Sequence, residues 1–264
     1  MTAHNPEQVL AGELLALARR IGQEAAAMLM DRPAELEVNT KSTAIDVVTQ
    51  MDIKVEKFIV DQILAARPDD GLIGEEGADR ASASGITWVI DPLDGTTNFI
   101  HGFPQYAVSI ALSVNGVTQQ AVVYDPTRDE LFTATRGAGA YLDRRRLRVA
   151  TQDRLANSLL GTGFPYRDDQ DLEKYLKIFA DMSRNCAGLR RPGAASLDLA
   201  YVAAGRYDGF FESDLKPWDM AAGALLITEA GGLIGNYRGE EGFLQSGEVM
   251  CANPRIFAQM VQCL

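Results

Sequence analysis

Cysteine and histidine are scarce in these 264 residues: the thiols are Cys186, Cys251 and Cys263, and the imidazoles are His4 and His101. Thiols that are odd in number and far apart make no disulfide framework, and they suit a reducing, cytoplasmic setting. With no Cys-x-x-Cys pair and no histidine cluster, a zinc site of sulfur and imidazole has nothing to draw on. A metal bound here must be a hard one held by oxygen. No apolar run approaches the roughly 18 residues that span a bilayer, so no membrane segment is expected. The polar opening, Met1 to Gln8, lacks a basic n-region and leads into an amphipathic pattern, so no secretory leader is expected either. Positive charge is also in deficit, with 36 acidic against 25 basic residues and a formal net charge of −11. That sign argues against direct nucleic-acid binding, whose affinity comes mainly from neutralising phosphates. Arg144-Arg145-Arg146 with Arg148 is a local exception and reads as a solvated hairpin tip. If the substrate is itself an anion, cations have to mediate.

Hydrophobic residues make up 47% of the chain and charged residues 23%, the balance of a globular protein able to bury a large core. Leu10, Leu14, Leu17, Ala18, Ile21, Ala25 and Met28 recur at helical spacing, predicting a helix over 6–30. Asp52 is expected to start a second, with Val55, Phe58, Ile59, Ile63 and Leu64 on one face. Strand signals then follow at Leu72-Ile73, Trp88 to Ile90, Tyr106 to Val114, Val117 to Tyr124 and Glu130 to Thr135. Asn115-Gly116 is a hairpin signal between two of them. After about Thr151 the pattern alternates, with helices predicted over 172–184, 194–204, 217–230 and from Pro254. Strands are predicted near 158–163, 209–211, 233–237 and 248–252. The expectation is a mixed α/β (α+β) chain in two lobes, an antiparallel-rich one over 1–150 and an alternating one over 151–264.

The segment Trp88-Val89-Ile90-Asp91-Pro92-Leu93-Asp94-Gly95-Thr96-Thr97 ends an apolar strand on two carboxylates and two hydroxyls. Pro92 and Gly95 force a turn, so Asp91 and Asp94 can converge, and with the Leu93 carbonyl they make a donor set suited to magnesium. Thr96 and Thr97 sit where a helix can start. Standing alone, the motif reads more simply as a turn with Asp94 as helix N-cap. That simpler account weakens because Glu75-Glu76, Asp52 and Asp219 also hang on the ends of apolar segments. Rival designs fail on their letters. Two residues separate Asp91 from Asp94 where haloacid-dehalogenase enzymes have one. Cys186 and Arg191 stand one residue too close for a thiol phosphatase loop, and no Gly-x-x-x-x-Gly-Lys motif exists.

Taken together, Gly74-Glu75-Glu76-Gly77, the Asp91-Pro92-Leu93-Asp94-Gly95-Thr96-Thr97 core and Trp218-Asp219-Met220-Ala221-Ala222-Gly223 resemble the inositol monophosphatase family, especially its bacterial SuhB-type members. Lys41 and Asp52 match upstream positions of the pattern, and Arg190 to Gly205 and Glu212 match downstream ones. The resemblance implies a layered αβαβα sandwich, a cytoplasmic homodimer and a magnesium-dependent, lithium-sensitive phosphatase acting on a small phosphate monoester. Inositol 1-phosphate is the leading substrate, with histidinol phosphate or another sugar or nucleotide phosphate as alternatives, and a partner in the transcription machinery is conceivable for this branch. Two to three ions are implied, held by Glu75, Asp91, the Leu93 carbonyl, Asp94 and Asp219. Asp52, Thr96 and Glu75 would serve catalysis. Asp94, Gly95, Thr96, Gly193, Ala194, Ala195, Glu212 and Asp219 would contact substrate, partly through backbone N–H groups at 193–195. Lys41 would sit on a loop closing over the metals. The chain departs from the family pattern at Ala194, where a hydroxyl residue is usual, and at Asp214, where glycine is usual. Relief of repulsion between carboxylates predicts that Asp94→Asn keeps or raises stability.

Overall fold

The computed structural model describes residues 6–41, 47–165 and 171–264, with side chains described from residue 11 onward. His4 and the opening to Asn5 lie outside the described residues. The first helix, α1, spans Pro6–Met30, as its periodicity predicts. Leu14, Ala18, Ile21, Ala25 and Leu29 form its buried stripe. A small hairpin follows, β1 (Val38–Thr40) against β2 (Val47–Thr49). Helix α2 then spans Gln50–Ala66, two residues earlier than expected. Thr49 is its N-cap, and Asp52 is the third helical residue of a capping box rather than the start.

A seven-stranded sheet comprises β3 (Gly71–Gly74), β4 (Ile86–Asp94), β5 (Ala107–Val114), β6 (Val117–Asp125), β7 (Glu130–Thr135), β8 (Gly139–Leu142) and β9 (Arg145–Arg146), in that order. All neighbours are antiparallel except β3 and β4. The short helix α3 (Thr96–His101) lies between β4 and β5. A five-stranded mixed sheet follows from β10 (Leu159–Thr162), β11 (Gly188–Arg190), β12 (Gly209–Glu212), β13 (Leu233–Gly235) and β14 (Val249–Ala252), in the order β11-β10-β12-β14-β13. Its helices are α4 (Leu172–Asn185), α5 (Ala195–Ala203), α6 (Pro217–Glu229), α7 (Phe243–Ser246) and α8 (Pro254–Gln262). Among the described residues, no helix is long and apolar enough to cross a membrane.

Strand alternation explains the layering. Trp88, Ile90, Val108, Ile110 and Leu112 point to α1 and α2, while Val89, Ala107 and Ala111 point to the opposite face. That opposite face is alanine-rich, and α5 and α6 lie on it, packed in turn against Phe210, Val249 and Cys251 of the five-stranded sheet. Gly223 of α6 is needed where α5 crosses it, since a Cβ there would meet the Leu199 side chain at 2.4 Å. On the far side of the second sheet, Tyr175, Ile178 and Met182 of α4 and Ile256, Phe257 and Met260 of α8 form a third cluster with Phe211 and Met250. The order of layers is helices, sheet, helices, sheet, helices: the expected αβαβα sandwich. One continuous core joins both sheets through α5 and α6.

Candidate active site

Strand β4 does not stop at Ile90 but runs on through Asp94, with a bulge against β5 between Asp91 and Asp94. Pro92, which cannot donate to the ladder, is tolerated at that irregularity. The bulge turns both carboxylates toward the same cavity. Asp91 Oδ1 accepts the Leu93 N–H at 3.0 Å, tightening the turn. Gly95 then adopts φ +92°, and a Cβ there would lie 2.8 Å from the Gln105 carbonyl oxygen, so only glycine fits.

Gly95, not Asp94, is the N-cap of α3. Asp94 instead reaches across the molecule to the start of α5. Its Oδ1 accepts the Ala195 N–H at 3.2 Å, and its Oδ2 accepts the Ser196 N–H at 2.7 Å and the Ser196 hydroxyl at 2.5 Å. The simpler expectation of a local cap is thereby replaced: Asp94 caps a helix roughly a hundred positions away. The Ala195 N–H, expected to face substrate, is taken by Asp94. Asn98 adds a second tie, its Nδ2 donating to the Gln105, Pro192 and Gly193 carbonyl oxygens.

Asp52 and Thr96, far apart in sequence, meet as expected. Thr96 Oγ1 lies 2.8 Å from Asp52 Oδ1 and 3.1 Å from the Leu93 carbonyl oxygen, with one proton to share between them. Asp52 Oδ2 accepts the Thr49 N–H and hydroxyl at 2.8 and 2.6 Å. Burial raises the Asp52 carboxyl above its ordinary range, against the lowering effect of the Thr49 and Thr96 bonds.

Glu75 follows β3 on a turn that Glu56 of α2 holds from beneath. The buried Glu56 carboxylate accepts the Glu76 N–H at 2.9 Å and the Ala78 N–H at 3.2 Å. Lys41 Nζ lies 3.0 Å from Glu75 Oε1 and 2.5 Å from Glu76 Oε1, a cation already beside the acids. Burial pushes the Glu76 carboxyl up to about 7, opposed by Lys41 and reinforced by Glu75. The loop expected to carry Lys41 over the metals runs through 42–46, outside the described residues.

One cavity of about 300 Å³ is lined by Glu75, Asp91, Leu93, Asp94, Gly95, Thr96, Gly193, Ala194, Ala195, Glu212 and Asp219. The expected metal and substrate residues are therefore neighbours. Asp52 stands behind Thr96 rather than on the wall. Asp219, near the start of α6, accepts the Lys216 N–H at 2.6 Å. Asp91 is pushed well above the usual carboxylate range, first by burial and then by the charges of Glu75, Asp94 and Asp219. Asp94 rises to about 6 through burial, against its Ser196 bonds. Glu212 rises to about 8, also through burial, against the charge of Arg191. Among the described residues, no three Asp, Glu, His or Cys side chains are gathered tightly enough to form a finished metal shell. The donor set still fits a hard divalent ion. It is all oxygen, its carboxylates disfavour each other's charge, and a lysine already partly neutralises it.

The inositol monophosphatase family model matches residues 7–263. The chain belongs to the inositol monophosphatase family. It is 48% identical over 256 residues to the Nus factor SuhB of Pseudomonas aeruginosa, spanning 94% of each chain. The crystal structure of the extragenic suppressor protein SuhB of Bartonella henselae superposes with TM-score 0.91 at 38% identity, covering 95% of this chain and 98% of that one. An IMPase of Thermotoga maritima superposes at 0.87 with 31% identity, covering 95% and 96%.

Glu56 and Gly163 of this family member were not singled out by its sequence, while Asn98, Arg191 and Ser196 fell within matched stretches with no role assigned. Glu56, Ser196 and Asn98 shape the site through backbone or side-chain bonds, and Gly163 and Arg191 line its wall. Gly163 leaves room for the Glu212 carboxyl, since a Cβ there would fall 1.8 Å from Glu212 Oε1. Asp214 has φ +64°, a left-handed conformation that aspartate tolerates better than most residues and that accounts for glycine as its usual occupant.

Proposed function

We propose that this chain hydrolyses a small phosphate monoester, with inositol 1-phosphate as the leading substrate. The observation that carries this reading is the meeting, in one small cavity, of acids from four separate elements with the Thr96 hydroxyl and the Asp52 carboxylate behind it. Glu75, Asp91, the Leu93 carbonyl, Asp94 and Asp219 would hold two to three magnesium ions. When bound, these ions acidify water and neutralise charge on the phosphate and the departing oxygen. Thr96 donates to Asp52, which leaves its oxygen lone pairs facing the cavity to accept a hydrogen bond from the attacking water. Asp52, buried and raised, then takes up a proton through that hydroxyl. Asp94 and Glu212 accept hydrogen bonds from hydroxyls of the alcohol. Burial raises the Glu212 carboxyl, so in its protonated form it can donate one as well. Gly193 and Ala194 shape the wall between them. The test is phosphate release from inositol 1-phosphate, histidinol phosphate, fructose 1,6-bisphosphate and adenosine 3′,5′-bisphosphate, with and without magnesium. Turnover of inositol 1-phosphate that disappears on chelation is the expected result; inertness toward all four by folded protein would end the reading.

The name of the Pseudomonas relative, a Nus factor, favours a second role alongside catalysis: binding to the transcription machinery. Co-sedimentation of the purified chain with RNA polymerase tests it, and failure of the two to associate removes it.

A further inference from the structure

Among the residues lining the cavity, Arg191 is the one cation, set against Glu75, Asp91, Asp94, Glu212 and Asp219. It shares the wall formed by Gly163, Gly193 and Glu212. Its guanidinium lies over the Phe164 ring, 5.2 Å from the centroid, which fixes its plane without using any of its five N–H donors. Its Nη1 crosses above Gly193 so closely that a Cβ there would come within 2.6 Å. Gly193 adopts φ +91°, so glycine at that position both permits the turn and clears the guanidinium's path. Arg191 lowers the Glu212 carboxyl, so the two are in electrostatic reach. Among the described residues no ion pair joins the two and the guanidinium, which is exposed at the rim of the cavity, makes no hydrogen bond. A planar fork of free donors, steadied by an aromatic face, suits bidentate capture of a phosphate or carboxylate.

We infer that Arg191 forms a subsite for a second anionic group, carried by the alcohol portion of the substrate at the end remote from the scissile phosphate. The inference rests on the monoester reading above and sharpens it: an ester bearing a further phosphate or carboxylate outranks the plain inositol 1-phosphate named there. A neutral polyol would leave the guanidinium's donors to water, and the cavity would gain nothing from a cation at that end.

The experiment compares myo-inositol 1-phosphate with myo-inositol 1,4-bisphosphate, which adds one phosphate across the ring, through the ratio of their kcat/KM values. The wild type is expected to favour the bisphosphate by about tenfold, the worth of one charge-assisted hydrogen bond. Arg191→Met should bring the ratio to near one. Arg191→Lys should fall between, because an ammonium keeps the charge but loses the fork. The inference is overturned if the wild type shows no preference, if Arg191→Met keeps it, or if both esters lose equally, which would make Arg191 merely the counter-charge of Glu212. Should neither ester be turned over, the phosphatase reading falls by itself. The same ratio is then read from calorimetric Kd values with magnesium, and the same three outcomes decide on Arg191.

Discussion

The two walls of the cavity are assembled in different ways. On one, Asp91 and Asp94 come from a single stretch of chain, aimed by a strand bulge, a proline and a glycine, and Glu75 joins them from the end of the neighbouring strand β3. On the other, Gly163, the Arg191–Gly193 turn and Glu212 follow or end three different strands of the second sheet, and no single stretch brings all of them together. The first wall is crowded with like charge, and burial raises the Asp91 and Asp94 carboxyls. The second is built around glycines that give way to the side chains of Glu212 and Arg191. Asp94 joins the two, since it belongs to the first wall and caps the helix that frames the second. A charge-dense wall needs a cation to be at rest, whereas a wall shaped by absent side chains is at rest already and selects what enters.

Mutations can break this comparison. The largest effect is expected from Asp91→Asn, which should lower kcat/KM for monoester hydrolysis by about a thousandfold or more, as loss of a principal charge stabiliser does. Because Asp91 is buried and raised by its neighbours, metal-free Asp91→Asn should melt no lower than wild type in calorimetry at pH 8. Asp94→Asn should also abolish turnover but behave differently in stability. An amide keeps one acceptor and turns its other end, a donor, toward the start of α5, so the variant should lose about 1–3 kcal/mol in denaturant titrations. This reverses the expectation drawn from charge repulsion alone. If the two variants prove equally stable, Asp94 does not join the walls.

Gly163→Ala tests the second wall. The backbone conformation at this position accepts alanine, so the chain should fold. Its Cβ must displace the Glu212 carboxyl, and KM for the ester should rise by about tenfold with a smaller change in kcat, consistent with lost hydrogen bonding to the alcohol. Unchanged KM would remove Glu212 from substrate binding.

The smallest expected effect concerns Asp198 of α5, beneath the second wall. It is buried, its Oδ1 lacks a hydrogen-bond partner among the described residues, and burial raises its carboxyl well above the usual range. A carboxyl raised on folding holds its proton more tightly in the native state. Stability therefore falls as pH climbs from the unfolded value toward the raised native one. Asp198→Asn removes that loss. Its melting temperature should exceed that of wild type by a few degrees at pH 8, and the gap should close toward pH 4. A gap that widens on acidification would contradict the assignment.

The elements most legible in the sequence are those with a strong period or sharp punctuation. Helix α1 matches its predicted bounds because its apolar stripe is uninterrupted. Strand β7 matches because turns close it on both sides. Helix α2 was placed two residues late because Asp52 looks like a cap, whereas Thr49 holds that position and Asp52 answers it from the third. The small helix α3 was signalled only by its first two threonines, and strand β11 carried no pattern of its own. The acids of the first wall were legible because their turn chemistry is written in consecutive letters. Glu56 is not legible in the same way: nothing in its neighbouring letters marks it, although it is buried and supports the turn carrying Glu75.

The sequence by itself determined the longer helices and strands, the alternation that gives each sheet two apolar faces, and the turn that points Asp91 and Asp94 the same way. These follow from side-chain period and backbone geometry over a few residues. Only the tertiary structure decided that Asp94 would cap α5, that Thr96 would rest on Asp52, and that Arg191 would lie over Phe164 beside Glu212. Those pairings depend on how two sheets sit about a shared layer of helices, and packing, unlike a turn, is written in no single stretch of chain.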